Sequence, residues 1–284
     1  MKRILVANDL SQRSSNALAR AIGLAARHGA EIRIVHAADA LEDPDAHHAA
    51  HRRVITEARI MAEELTDRTI EFTARISSTG PGHAIVREAA AFDADLVVLG
   101  AHGRPRFRDA VFGTTGSYVV RHCSCPILVV QNDACESYAK TLIAIEEVAD
   151  ASILFSHALA VAPATEVFAV HAFDPSLREV LGGLEALDRE EVRQELELEK
   201  LLGANLAGRP RARFVATQHA IVETGEALEV ITDETEALKP DLLVMGTRQR
   251  SILFDSHAVD ALYRCENDIL IVPERASVTA AASA

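Results

Sequence analysis

An internal repeat constrains this chain more than any other feature, because matching segments occur twice in the same order along its 284 residues. Residues 2–9, Lys-Arg-Ile-Leu-Val-Ala-Asn-Asp, correspond to residues 140–147, Lys-Thr-Leu-Ile-Ala-Ile-Glu-Glu. Two apolar segments that end in Val-His-Ala follow, at 32–37 and 167–172. Landmarks that recur in a fixed order indicate duplication, so the sequence predicts two copies of one domain.

The later landmarks complete an alternating pattern of strands and helices in each copy. Asp-Leu-Val-Val-Leu-Gly at 95–100 matches Asp-Leu-Leu-Val-Met-Gly at 241–246, and Ile-Leu-Val-Val at 127–130 matches Ile-Leu-Ile-Val at 269–272. Short, β-branched apolar runs of this kind are typical of strands covered by helices on both faces. The pattern predicts an α/β fold in which each copy is a doubly wound, open, parallel five-stranded sheet of Rossmann-like type.

The helices and domain limits follow from the same pattern. We expect a first helix over 14–27, capped by Ser14 or Ser15 and ended by Gly29. Long charged stretches are predicted as the helices after the second strand of each copy, at 45–66 and 178–203. The predicted domains are 1–135 and 138–275, followed by a disordered tail at 276–284.

Charge and hydropathy exclude several classes of function. The formal net charge of −13 argues against a nucleic-acid binder, which needs a basic face. No apolar run approaches the length of a transmembrane helix, and the apolar start 4–7 is too short for a signal peptide. Four cysteines without a disulfide or zinc pattern indicate reduced thiols, and we therefore expect a cytoplasmic protein.

A glycine-rich loop follows the fourth predicted strand of the first copy. Gly100-Ala-His-Gly103 is followed after nine residues by Gly113-Thr114-Thr115, where a helix is expected to begin. Glycines allow backbone N–H groups to approach an anion, and a helix N-terminus attracts negative charge. The pattern thus predicts a phosphate site, although plain turn and cap residues would look similar.

Other nucleotide motifs are missing from the chain. No Gly-Lys-Ser or Gly-Lys-Thr occurs, and no Gly-x-Gly-x-x-Gly follows the first strand, so P-loop and NAD-type binding are disfavoured. The loop does contain Arg104, Arg106 and Arg108, which suit either a phosphate or a solvated surface. No Ser-His-Asp arrangement is evident, so we predict no catalytic residues.

The spacing Gly100-x-x-Gly103, nine residues, Gly113-Thr114 resembles the ATP-binding signature of the universal stress protein family. Asp9 after the first strand and Cys125-Pro126 before the last strand of the copy are also similar to that family. The resemblance covers nearly the whole chain as a tandem repeat. It implies a stress-response protein that binds ATP as a regulatory ligand, with a divalent cation such as Mg²⁺ on the phosphates. We expect any hydrolysis to be slow, because no general base is evident near the phosphates.

The resemblance also implies the site residues. In ATP-binding members an acidic residue after the first strand lies beside the nucleotide, backbone after the second strand meets adenine, and the glycine loop holds the phosphates and ribose. These roles fall here on Asp9 with Ala7 and Asn8, on Ala37, and on Gly100, His102, Gly103, Gly113, Thr114 and Thr115. Gly116 replaces a hydroxyl residue that is frequent in the family, which removes one side-chain donor.

The second copy departs from the signature. Gln249 stands where the second glycine would be, Asp255 and Ser256 replace the Gly-Thr pair, and Glu147 takes the place of Asp9. A carboxylate at the loop would repel phosphate. We therefore expect the second copy not to bind ATP in the family manner and to serve as a structural or partner-binding unit.

Three further inferences concern histidines and assembly. His47 and His51 lie one helical turn apart with His48 between them, which suits a metal in principle, but a solvated helix start is preferred and no metal site is predicted. His36 and His171 end equivalent strands and are expected to be structural. The resemblance implies that the last strands of the two copies pair, giving an intramolecular pseudo-dimer that can associate further into a homodimer.

One alternative function stays open at this stage. The glycine loop could be a structural remnant, in which case the chain is a non-nucleotide interaction or dimerisation module for an unknown protein partner.

Overall fold

The structure, a computed structural model, describes most of both copies, and every statement below concerns the part of the chain that it describes. These residues are 1–37, 44–101, 114–133, 137–145, 151–173, 192–193, 196–200, 203, 218–224, 227–247, 261 and 264–273. The predicted tail at 276–284 lies outside them. Among these residues no helix combines the length and apolarity needed to cross a membrane.

The first copy follows the predicted alternation of strands and helices. Its strands are β1 (Arg3–Ala7), β2 (Glu31–Ala37), β3 (Phe72–Ser77), β4 (Leu96–Gly100) and β5 (Ile127–Val130). Its helices are α1 (Gln12–His28), α2 (Pro44–Leu65), α3 (Pro81–Phe92) and α4 (Thr114–His122).

The second copy repeats this order where it is described. Its strands are β6 (Lys140–Ile145), β7 (Glu166–Phe173), β8 (Gln218–Thr224), β9 (Leu242–Thr247) and β10 (Asp268–Pro273). Its helices are α5 (Ala151–Val161) and α6 (Ala227–Leu238). Residues 192–193 and 196–200, within the stretch predicted as a helix at 178–203, are helical.

The two predicted five-stranded sheets form the halves of a single ten-stranded sheet. The strand order is β3-β2-β1-β4-β5-β10-β9-β6-β7-β8. Pairing is parallel within each half, whereas β5 and β10 pair antiparallel with Leu128 opposite Leu270. The α/β fold is therefore confirmed, and the last strands pair within one chain as the resemblance implied.

The apolar core forms two layers, one on each face of this sheet. One layer packs α1, α2 and α5 against alternate strand residues such as Leu128 and Leu270. The other packs α3, α4 and α6 against their neighbours, such as Val129 and Ile269. Because each layer contains residues of both copies, the hydrophobic core is continuous across the junction.

Strand register corrects the alignment of the two copies by one residue at β1. Ile4 lies opposite Leu96, and Thr141 lies opposite Leu242, so that Arg3 rather than Lys2 is equivalent to Lys140. The sequence comparison had instead aligned Lys2 with Lys140 because both are lysines. Counting on from the corrected pair, the residue equivalent to Asp9 is Glu146 and not Glu147, and both glutamates lie outside the described residues.

Conserved hydrogen bonds at the start of each half support the corrected register. The carboxylate of Asp95 accepts from the backbone N–H groups of Lys2 and Arg3. The carboxylate of Asp241 accepts in the same way from Ala139 and Lys140, at 2.7 and 2.8 Å. The aspartate that opens each Asp-Leu landmark thus anchors the first strand of its own copy.

Helix α1 begins one turn earlier than the sequence suggested. Ser11, and not Ser14 or Ser15, is the N-cap, and its hydroxyl accepts from the backbone N–H of Ser14 at 3.3 Å. Ser14 is buried instead, because it lies under the loop that follows β1. At the other end Gly29 takes a left-handed conformation with φ of 65°, which confirms the predicted stop.

The C-terminus of α1 also holds the second copy. Arg27 Nη1 donates to the carbonyl of Val161 at 2.9 Å, and His28 Nε2 lies 2.8 Å from the carbonyl oxygen of Ala160. These carbonyls end α5, where no further helical N–H is present to satisfy them. One helix of the first copy therefore caps a helix of the second.

A buried carboxylate locks one end of the β5–β10 junction. Asp268 has no exposed surface, and its Oδ1 accepts from the N–H groups of Gln131 and Asn132 at 2.8 and 3.1 Å. Its Oδ2 accepts from the hydroxyl of Tyr138 at 2.7 Å and lies 3.6 Å from Nη2 of Arg20. The pKa of Tyr138 is raised well above its usual value, first by burial and then by the Asp268 charge, so the phenol remains a donor.

The other end of the junction lacks this lock. Pro126 is the residue equivalent to Asp268, since Ile127 of β5 and Ile269 of β10 hold the same place beside β4 and β9. Pro273 is likewise equivalent to Gln131. Pro126 has no carboxylate to replace that of Asp268, and Pro273 has no N–H to replace that of Gln131. The hydrogen bonds of Asp268 therefore form only at one end of the pairing of β5 with β10.

Gly100 permits a close approach between α1 and the end of β4. A Cβ at Gly100 would lie 2.6 Å from the carbonyl oxygen of Arg13, in the first turn of α1. At its counterpart Gly246, the nearest atom among the described residues, Cδ2 of Leu154, would be 3.8 Å away, an ordinary contact. The residue equivalent to Arg13, at position 150, lies outside the described residues.

The junction lock yields a stability prediction. Asp268→Asn replaces one carboxylate oxygen by a donor, leaves a buried group unsatisfied and removes the charge beside Arg20. We expect the free energy of unfolding in urea to fall by about 2 kcal/mol. The control is Asp93→Asn, which removes an exposed ion pair with Arg3 and should cost less than about 1 kcal/mol. Equal costs for the two variants would contradict the lock.

The glycine pair yields a second stability prediction. Gly100→Ala forces a methyl group into backbone atoms and should lower the free energy of unfolding by about 2 kcal/mol. Gly246→Ala makes only ordinary contacts with the described residues and should leave stability unchanged or raise it by up to about 1 kcal/mol. Urea titration of both variants measures the difference, and a tolerated Gly100→Ala would show that α1 is not held against β4.

Candidate functional site

A pocket of about 510 Å³ opens at the carboxyl ends of β1, β2 and β4. Within the first half the strand order is β3-β2-β1-β4-β5, so the chain reverses its winding direction between β1 and β4. Ligands of open α/β sheets bind at this switch point. The volume lies in the usual range of small-molecule sites, so the pocket is the candidate functional site of the first copy.

The polar floor of the pocket is built on Asn8. Its side chain is buried, and its Oδ1 accepts from the N–H of Leu10 at 2.6 Å and from the hydroxyl of Ser14 at 3.2 Å. A backbone N–H can only donate, so the amide nitrogen Nδ2 faces the other way. Nδ2 is buried without a hydrogen-bond partner, and a ligand acceptor would satisfy it.

The loop after Asn8 is held in an unusual backbone conformation. Leu10 has a φ of 64°, which is rare for a residue with a bulky side chain. Two short turns hold it: Oδ1 of Asn8 accepts from Leu10, and Oδ1 of Asp9 accepts from the N–H of Ser11 at 3.0 Å. The strained loop places the exposed Asp9 beside the pocket and starts α1 immediately after it.

Three helices direct their N-termini toward this pocket. Its lining includes Ser11–Ser14 at the start of α1, Pro81 at the start of α3, and Thr115 with Gly116 at the start of α4. The N-terminus of a helix carries a partial positive charge and N–H groups that lack helical acceptors. Together with the charge of Arg13, which is among the lining residues, this arrangement favours an anionic group.

The remaining wall is apolar. Val35, Ala37, Ile85 and Leu99 line it, at the ends of β2 and β4 and on α3. An apolar wall beside a polar, electropositive end suits a ligand that has a flat or apolar part joined to an anion.

The structure brings together six of the ten predicted site residues: Ala7, Asn8, Asp9, Ala37, Gly100 and Thr115 all line the pocket. Thr114 is the first residue of α4, so it adjoins the site. His102, Gly103 and Gly113 lie outside the described residues, as do the three loop arginines. The role of these ten residues in binding stays a prediction.

Sequence reasoning missed the contribution of α1 and α3. Ser11, Gln12, Arg13 and Ser14 contribute because the N-cap is Ser11, and the strain at Leu10 that fixes this start has no sequence signature. Thr79-Gly80-Pro81 before α3 was a readable signal, since proline favours the first helical turn.

His36 and His171 make the same structural contact in both copies. Nδ1 of His36 lies 2.7 Å from the backbone oxygen of Asn8, and Nδ1 of His171 lies 2.9 Å from that of Ile145. A carbonyl oxygen only accepts, so Nδ1 carries the hydrogen in each case. Both histidines tie the end of the second strand to that of the first, in line with the expected structural role.

The metal hypothesis for α2 finds no supporting cluster. His47, His48 and His51 are exposed on this helix. Within the described ranges, no three or more His, Cys, Asp or Glu side chains are grouped so that they could hold a metal ion.

Comparison with known proteins identifies the fold and its duplication. The sequence profile of the universal stress protein family matches residues 1–131 and again residues 137–273. A universal stress protein of Thermus aquaticus is 31% identical over 135 residues, which are 46% of this chain and 98% of that protein. Universal stress protein E of Salmonella typhi is 23% identical over 287 aligned positions, with 88% of this chain and 86% of that protein covered.

Solved structures show the same architecture over the whole chain. A universal stress protein from Archaeoglobus fulgidus superposes with a TM-score of 0.69 at 17% identity, covering 96% of this chain and 98% of its own. A protein of the same description from Pseudomonas aeruginosa gives a TM-score of 0.69 at 20% identity, with 97% and 94% covered. At these identities the likeness concerns the fold. Since the family profile matches both halves, this chain is a member of the universal stress protein family that carries the family domain twice.

Proposed function

We propose that the first copy binds ATP as a regulatory ligand in the pocket at the ends of β1, β2 and β4, and that the second copy is a structural or partner-binding unit. The observation that carries the proposal is the convergence of three helix N-termini around a pocket whose floor has a buried amide donor without a partner.

The phosphates would occupy the electropositive end of the pocket. Thr115 and Gly116 lie in the first turn of α4, where N–H groups have no helical acceptor. Arg13 adds a full positive charge from the first turn of α1. The glycine loop 100–113 leads directly into α4, so its N–H groups and the hydroxyls of Thr114 and Thr115 would complete the phosphate cradle.

The nucleoside would occupy the remainder of the pocket. Val35, Ala37, Ile85 and Leu99 offer an apolar surface for the flat adenine ring. Nδ2 of Asn8 offers a donor for a ring nitrogen or a ribose oxygen. The exposed carboxylate of Asp9 offers an acceptor for hydroxyl or amino groups at the rim.

A signalling role suits this site better than turnover. Magnesium would enter the pocket bound to the phosphates of ATP, and water molecules would supply most of its remaining ligands. The described lining holds one carboxylate, Asp9, which anchors the N–H of Ser11 beside β1. We therefore propose that ATP is held rather than hydrolysed quickly, and that its binding alters the contacts that the glycine loop makes with a protein partner.

The second copy departs from the first in the sequence of the loop. Asp255 and Gln249 replace the glycines of the loop, and a carboxylate there would repel phosphate. This difference supports a single nucleotide site per chain.

Calorimetric titration of the full chain with ATP and magnesium tests the proposal. The wild type should bind one ATP per chain. Thr115→Asp places a negative charge in the first turn of α4, where it stabilises the helix but repels phosphate, and should weaken binding at least about tenfold. Its melting temperature should not fall, which separates lost binding from lost folding.

Ser152→Asp is the matched control. Ser152 is exposed in the first turn of α5, so the substitution adds the same charge at a helix start of the second copy. ATP binding should be unaffected by it. Two sites per chain, or equal losses in both variants, would contradict a single site in the first copy. No binding at millimolar ATP would favour the alternative of a non-nucleotide interaction module.

A further inference from the structure

The first turn of α3 and the middle of α4 meet in a contact that leaves no room for a side chain. Gly82 is the second residue of α3, and a Cβ built on it would lie 2.8 Å from Cδ1 of Tyr118 in α4, and 3.1 Å from its Cβ and Cγ. The backbone of Gly82 is not left-handed, so the contact requires glycine for space. Because the Cβ of Tyr118 is fixed to the backbone, a larger residue at position 82 would push the two helices apart.

Two histidines hold the ring of Tyr118 in place. Its hydroxyl lies 3.1 Å from Nδ1 of His83, and the centroids of the two rings are 4.6 Å apart. The ring also stacks on His122, one turn later in α4, with centroids 4.1 Å apart and planes inclined by 18°. Nδ1 of His122 in turn lies 2.8 Å from the backbone oxygen of Tyr118. The ring therefore forms a fixed spacer between α3 and α4.

The two helices that this ring separates both begin at the candidate site. Pro81, next to Gly82, lines the pocket, as do Thr115 and Gly116 in the turn of α4 that precedes Tyr118. Tyr118 is not among the described lining residues, so it would affect a ligand through the helices. The electrostatic effect of a helix N-terminus is confined to its first turn, and hydrogen bonds tolerate only a narrow range of distances. The spacing of α3 and α4 thus decides whether one anion can interact with both.

The second copy has replaced the glycine of this contact. Helices α3 and α6 begin at equivalent places, five residues after the strand residue that pairs with the histidine of each Val-His-Ala landmark. Leu228, the second residue of α6, therefore holds the place of Gly82. A leucine offers a bulky side chain where the first copy has space for none.

The second copy has replaced the ring as well. The alignment of β5 with β10 given above, counted back along the chain, puts Asp260 in the place of Tyr118. The next residues, Val119 and Ala261, are both buried in the same apolar layer, which supports this alignment. Both partners of the contact have thus changed together, and the contact belongs to the copy that carries the glycine loop.

We propose that Tyr118, packed on Gly82, is a positioning residue of the nucleotide site. It sets the spacing between the N-termini of α3 and α4 at the end of the pocket that would receive the phosphates. This inference rests on the proposed binding of ATP in the first copy.

Calorimetric titration of full-chain variants with ATP and magnesium tests the inference. The methyl group of Gly82→Ala would force α4 away from α3 and should weaken ATP binding at least about tenfold. The matched control is Gly23→Ala in α1, where no atom lies within 4 Å of the added Cβ, and ATP binding should be unchanged. Tyr118→Phe keeps the ring on Gly82 and should bind ATP within about twofold of the wild type.

A double variant separates positioning from a merely structural role. Tyr118→Ala should itself weaken ATP binding, because α4 loses its spacer. Adding Gly82→Ala to it should then change the affinity by less than about twofold, since the ring that the methyl group would strike is gone. A merely structural contact would instead lower the melting temperature of Gly82→Ala while the folded protein kept its affinity for ATP.

The outcomes distinguish this inference from the proposed function. A wild type that binds no ATP would overturn both. A wild type that binds ATP, together with unchanged affinity in Gly82→Ala or additive losses in the double variant, would overturn the positioning role alone. If Gly82→Ala does not fold, Tyr118→Ala decides, and wild-type affinity in that variant would overturn the inference.

Discussion

The antiparallel pairing of β5 with β10 is the interaction on which the rest of the molecule depends. It joins two parallel half-sheets into one sheet and makes both apolar layers continuous across the chain. Asp268 makes this pairing specific, because its buried carboxylate is satisfied by backbone N–H groups just after β5, by Tyr138 of the linker and by Arg20 of α1. If the β5 strands of two chains paired with each other, Pro126 would stand where the carboxylate of Asp268 is needed. If the β10 strands of two chains paired, two Asp268 carboxylates would be buried, each beside a Pro273 that has no N–H to donate. In the duplicated chain β5 and β10 thus pair with each other, so their edges are not open for pairing with the same strands of a second chain.

The same junction allows the two copies to diverge. Helix α1 contributes Arg20 to the lock, caps α5 through its last turn, and starts at the pocket with Ser11. In the first copy Gly100 brings that start against β4. Because the junction holds α5 and the second half in place, the fold of the second copy does not depend on a ligand at its own strand ends.

The fold could be predicted from the sequence because its signals are local and repeated. Short apolar strands and the stop at Gly29 follow from side-chain periodicity and backbone freedom, so the α/β alternation was accessible. The helix start at Ser11 was not, because it depends on Leu10 being held at positive φ by Asn8, a contact made only in the folded loop. The alignment of β1 with β6 was wrong by one residue for a similar reason. Strand register is set by pairing with the neighbouring strands in the folded sheet, and not by the matching lysines of the sequence. The predicted residues at the strand ends line the pocket, whereas the lining residues at the start of α1 were missed, and the role of either group in binding stays a prediction.

The central claim is that one sheet carries two similar halves but a single nucleotide site. A crystal structure of the full chain grown with a non-hydrolysable ATP analogue and magnesium tests it most directly. The account predicts electron density for the nucleotide in the first half, with the phosphates at the start of α4 and the adenine beside Ala37, and no nucleotide at the equivalent strand ends of the second half. Nucleotide in both halves, in the second half alone, or in neither would contradict it.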